Sequence, residues 1–87
     1  MITNELFQQC LDAIPDEQKA SFELSYDVAA RLDGVLKTQG VTQHELARRL
    51  GKRDSEISKW LTGRHNFTLS TIASIEVALG VKIVTVM

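Results

Sequence analysis

Lys52, Arg53, Asp54 and Ser55 follow directly on Gly51, and Ile57, Trp60 and Leu61 come next at the i, i+3, i+4 spacing of a helix. A helix start carries partial positive charge, so two cations sit badly there unless an anion meets them or both side chains splay into solvent. The face opposite Ile57 and Trp60 shows Ser55, Glu56, Ser58, Lys59 and Thr62, which are mostly short hydrogen-bonding groups. Cations crowd this stretch. Residues 37–87 hold eight lysines and arginines against four acids, a net of +4, and six of the eight fall between 48 and 64. Residues 1–36 hold seven acids against two bases, a net of −5. The overall charge of −1 therefore hides a basic binding face beside an acidic segment.

Other chemistries find little support. His44 and His65 are far apart, with no second ligand at metal spacing, so no metal site is expected. His65, in the loop from Gly63 to Asn66, is a further candidate for an anion contact. Ser55 and Ser58 have no partnered base, the acids are scattered, and there is no glycine-rich phosphate loop. No enzymatic activity and no cofactor are expected. Trp60 shares the spacing of Ile57 and is read as core. Cys10, the single cysteine, excludes an intramolecular disulfide and fits a reducing cytoplasm; on an apolar helix face it reads as a small buried hydrophobe.

The elements that must position these residues are legible in part. A chain of 87 residues forms one domain at most and buries about 60–65% of its unfolded surface. Its apolar runs are far shorter than the ~20 residues of a membrane span, and the opening "MITNELFQQC" has no basic leader, so a cytoplasmic protein is expected. "TNELFQQCLDAI" places Leu6, Cys10, Leu11 and Ile14 at helical spacing and ends before Pro15. Residues 16–39 read as helical up to Gly40, either as one helix or as two broken near Ser21–Ser25, with Val28, Leu32, Val35 and Leu36 as the apolar stripe. Thr42 and Glu45 form a capping box, Val41 and Leu46 its hydrophobic staple, and Leu46, Ala47 and Leu50 the buried stripe of a short helix that ends at Gly51. A second short helix covers about 54–62. A third, over roughly 69–79, is capped by Thr68, stapled by Phe67 and Ile72, and turns Leu69, Ile72, Ile75 and Leu79 inward. "VKIVTV" alternates and reads as a strand.

Two short helices joined at a glycine, the second with a polar outer face, make the pattern of a helix-turn-helix. Ala47 lets the helices cross closely, Gly51 tolerates positive φ, and Ile57 and Trp60 anchor the second helix. Asp54, Ser55, Ser58 and Lys59 are then available to reach base edges in a major groove. Gln43, Leu46, Ala47, Leu50, Gly51, Ile57, Ser58, Gly63, Leu69, Ala78, Leu79 and Gly80 together resemble the XRE family, the Cro and lambda-repressor type of helix-turn-helix protein, over about residues 28–81. The tail is similar to that of HigA-type antitoxins and their solitary relatives.

The resemblance implies an all-α, five-helix lambda-repressor-like domain that binds double-stranded DNA as a dimer with helix 54–62 in the major groove. It places Asp54, Ser55 and Lys59 where relatives read bases, and Thr42, Gln43, Arg64 and Asn66 where they hold phosphates. In that setting phosphate is the anion that meets Lys52 and Arg53. Two positions depart from the family: Leu61 stands where a glutamate is usual, and Arg53 where a small or hydroxyl residue is usual. Asp54 has two readings, an acceptor for a cytosine amino group or a partner for the helix dipole.

The expected organisation is an N-terminal helical extension over 1–24, the DNA-binding domain over 25–80 and a strand over 81–87. A lone strand needs a partner, either its symmetry mate in a homodimer built through 81–86 and the last helix, or another protein's sheet edge. The acidic segment 1–36 either covers the bundle or engages a basic partner such as an RNA-cleaving toxin. The reading reached is a sequence-specific transcriptional repressor. The alternatives are an antitoxin of a two-component toxin system, or an interaction module that has lost DNA binding.

Overall fold

The computed structural model describes residues 14–86. Among them the chain forms four helices: α1 Asp16–Gln39, α2 Gln43–Leu50, α3 Asp54–Leu61 and α4 Leu69–Leu79. Of the expected helix over 3–14, residues 3–13, with Cys10, lie outside the described residues. α1 starts at Pro15, whose φ of −56° and ψ of 146° turn the chain in, with Asp16 and Glu17 in the first turn and Lys37 in the last. It runs unbroken through Ser21–Ser25 for 24 residues, which is one reason the five-helix expectation reduces to four helices here.

One core joins all four helices. Leu32, Val35 and Leu36 of α1 meet Leu46 and Ala47 of α2, Ile57 and Trp60 of α3, and Ile72, Ile75 and Leu79 of α4. α2 packs against both α3 and α4, and α1 packs against α3. Leu32, Leu46, Ile57 and Ile75 are fully enclosed, and burial of each contributes about 1.5–3 kcal/mol. Leu69, expected inward, is 84% exposed, because the first residue of α4 precedes the turn that packs. Among the described residues no helix is long and apolar enough to cross a membrane.

The expected C-terminal strand is not formed: residues 81–86 contain no strand. Alternation is present, since Val81 and Ile83 turn inward while Lys82 and Val84 face out. Its cause is different. Ile83 is buried in the core, and the Ile83 and Val84 backbone N–H groups donate to Glu76 Oε2 at 2.8 and 3.2 Å. The Arg31 guanidinium donates to the Lys82 carbonyl at 3.0 Å. Groups that a ladder would use are thus satisfied by side chains of the same chain. A dimer paired through this segment has no strand to rest on.

Candidate nucleic-acid interface

The candidate interface comprises the α2–Gly51–α3 unit and the loop that follows it. At the start of α2 the Thr42 hydroxyl accepts from the Glu45 N–H at 3.1 Å, which is half of the expected capping box. The other half is diverted. Glu45 instead receives Arg48 through two bonds, at 3.0 and 2.7 Å, and Arg49 at 3.2 Å. These guanidinium bonds, Arg48 first, hold the Glu45 carboxyl below the usual carboxylate range. Gly51 takes φ 66°, and the Lys52 N–H closes the turn on the Ala47 carbonyl at 2.8 Å.

α3 begins differently from its neighbours. Thr42 and Thr68 cap α2 and α4 with their hydroxyls, whereas Arg53 at the cap of α3 makes no side-chain bond. The first turn of α3 therefore lacks a side-chain acceptor, and Lys52 and Arg53 stand beside it in solvent. Among the described residues Lys52, Arg53, Lys59 and Arg64 take part in no ion pair, while Arg48 and Arg49 are tied to Glu45. The basic stretch thus divides into two cations that share one carboxylate at the end of α2 and, among the described residues, four without an ion pair around α3.

Ile57 and Trp60 hold the inner face of α3, as their spacing implies. Outside, the candidate base-reading residues behave unequally. Ser55 and Lys59 are exposed, with no side-chain bond among the described residues. The Ser58 hydroxyl donates to Gln43 Oε1 at 2.9 Å, so a residue expected on a base and one expected on a phosphate meet each other. Asp54 is met by His44, whose Nδ1 lies 3.0 and 3.1 Å from the two carboxylate oxygens. Two hydrogen-bonded bridges therefore lock the start of α2 to the outer face of α3. In the sequence His44 has no metal partner and no other role. Its partnership with Asp54 depends on how the two helices cross, and nothing in their ten-residue separation signals it.

The loop after α3 is held from three sides. The Thr62 hydroxyl donates to the Lys59 carbonyl at 2.7 Å and accepts from the Arg64 N–H at 3.3 Å. Buried Gly63 has φ 83°, and a Cβ there would come within 3.0 Å of Tyr26 Cδ2. The His65 ring stands edge-on to Phe67 at 4.8 Å and tilted against Trp60 at 5.7 Å. His65 is thus a brace for the loop that carries exposed Arg64, a role its sequence position did not reveal. Asn66 lines a groove beside Leu24 and Ser25 of α1, and Lys52 lines one beside Ser70 and Ser74 of α4. No group of three or more His, Cys, Asp or Glu gathers as a metal site among the described residues.

A model of the helix-turn-helix family matches residues 35–86, from the last five residues of α1 through the tail. No curated protein and no solved structure matches the chain. With more than half of its length under that match, and with α2, the Gly51 turn and α3 arranged as described, the chain belongs to the XRE-type helix-turn-helix family of DNA-binding regulators.

Proposed function

We propose that the protein is a sequence-specific transcriptional repressor that lays α3 in the major groove of its operator. The observation that carries this reading is the division of charge. Among the described residues Lys52, Arg53, Lys59 and Arg64 are free of ion pairs around an α3 whose start is uncapped, while Arg48 and Arg49 share the single charge of Glu45. Ser55 and Lys59 read base edges, and Asp54 and Ser58 do so from positions fixed by His44 and Gln43. Lys52, Arg53 and Arg64 grip phosphates, with Thr42, Gln43 and Asn66 beside them.

The repressor acts as a homodimer on a two-fold operator. Exposed apolar residues on α4, Leu69 and Val77 at 84% and 85%, support an association through that helix.

Selection from a random duplex library at near-physiological salt tests both statements. Enrichment of a palindrome with half-sites about one helical turn apart, ~34–36 Å between centres, is the expected result. Enrichment of a single unrepeated half-site removes the dimer. Absence of any enrichment with folded protein removes the repressor.

A further inference from the structure

α1 is longer than the bundle it packs on. Its first buried residue is Ala29, and none of residues 16–28 is buried. That stretch measures about 20 Å at 1.5 Å per residue, with Val28 half-buried against the core and Tyr26 beside Gly63. It is not merely a solvated polar face. Phe22, Leu24 and Tyr26 are 58%, 65% and 65% exposed on it, an unusual outlay of large apolar groups for so small a surface. Helical spacing sets Phe22 and Tyr26 on one flank and Leu24 on the other, with Glu23 and Asp27 between them. On the first flank Phe22, Glu23, Tyr26 and Asp27 form one wall of an open groove of about 740 Å³, with Thr62 and Arg64 on the facing wall.

Charge decides what fits. Residues 16–28 carry Asp16, Glu17, Glu23 and Asp27 against Lys19, and Arg64 on the facing wall adds one cation, so acids still prevail. A second copy meeting this face across a two-fold axis would bring the same acids to the contact. The chain's own residues 1–13 contain Glu5 and Asp12 and no lysine or arginine. Both alternatives set like charges together, which costs free energy at an interface. We propose that residues 16–28 of α1 are a docking surface for a basic segment of another protein, one that presents apolar side chains beside its lysines or arginines. Its apolar groups cover Phe22, Tyr26 and Leu24, and its cations pair with Glu23 and Asp27. The surface lies on α1, off the outer face of α3, and meets the proposed phosphate contacts only at Arg64 across the groove.

Calorimetric titration of the full chain with a synthetic helical peptide of about 14 residues, built from leucine and lysine, tests the proposal against a leucine–glutamate peptide of the same register. The lysine peptide is expected to bind at least about ten-fold tighter than the glutamate one, and to weaken as salt rises from about 50 to about 300 mM. Phe22→Ser with Tyr26→Ser, and separately Glu23→Lys with Asp27→Lys, should each cost about ten-fold, with helix content unchanged by circular dichroism. Equal binding of the two peptides, or binding that neither double variant weakens, overturns the proposal. So does a ten-fold gain on Leu6→Ser with Leu11→Ser, which makes the chain's own N-terminal segment the occupant. A sedimenting dimer dissolved by Phe22→Ser with Tyr26→Ser overturns it too, in favour of a second copy.

Discussion

His44 Nδ1 lies 3.0 Å from Asp54 Oδ2, joining the second residue of α2 to the first residue of α3. Both side chains are well exposed, so the pair is worth about 0–1 kcal/mol to the fold. Its larger effect is on the carboxylate, which the imidazole holds in place at the start of the helix proposed to enter the major groove.

His44→Ala should therefore leave stability within about 0.5 kcal/mol of the parent while changing base preference opposite Asp54. Library selection on the variant, alongside urea unfolding, separates the two effects. A large loss of stability with an unchanged preference would make the bridge a fold element instead.

Lys59 and Arg64 should part company under substitution. Lys59→Ala is expected to lose about 1–3 kcal/mol for the selected site and little elsewhere. Arg64→Ala should weaken all duplexes evenly and reduce the slope of log affinity against log salt by about one. Titrations of matched and scrambled duplexes at several salt concentrations make the comparison.

Gly63→Ala should destabilise the protein by about 1–2 kcal/mol through its φ of 83° alone, with a further cost where the new Cβ meets Tyr26. Adding Tyr26→Ala should recover only that second share. Denaturant unfolding of the single and double variants checks the split, and a complete recovery would show that backbone strain contributes nothing.

Acid should loosen the tail. Backbone N–H bonds from Ile83, then Val84, lower the Glu76 pKa, helped by the Lys82 charge and opposed by desolvation. A carboxyl whose folded pKa is lowered stabilises the fold above its unfolded pKa, and that contribution fades as pH falls through the folded value. Stability is expected to decline below the usual carboxylate range. Glu76→Gln, which keeps an acceptor oxygen and loses the charge, should flatten part of that decline in thermal melts recorded from neutral to acid pH. Glu45 shifts in the same direction and accounts for another part.

How much of this was legible beforehand depends on how local the cause is. Thr42, Gly51, Thr68 and Gly80 mark helix ends through bonds to residues a few positions away, and all four act as read. Ile57 and Trp60 follow from spacing in the same way. The tail misled because alternation records only that one side of an extended segment is buried. It does not record whether a neighbouring strand or a glutamate side chain takes the backbone N–H groups. At the interface the residue types and their stretch of chain were evident. The pairings His44–Asp54 and Ser58–Gln43 were not, because they arise from the crossing of two helices and leave no trace in either one. The diversion of Glu45 to Arg48 and Arg49 was open to inspection, since i, i+3 and i, i+4 charge pairs are local. It is what separates the idle cations from the available ones.

Trp60 is the single tryptophan of the chain, buried beneath the outer face of α3 with the His65 ring 5.7 Å from its own. The protein thus carries its one indole at the joint between α3 and the loop bearing Arg64. Any engagement that shifts the loop alters the surroundings of that indole, so its emission reports binding from within the unlabelled molecule. No attached dye need disturb the surface being measured.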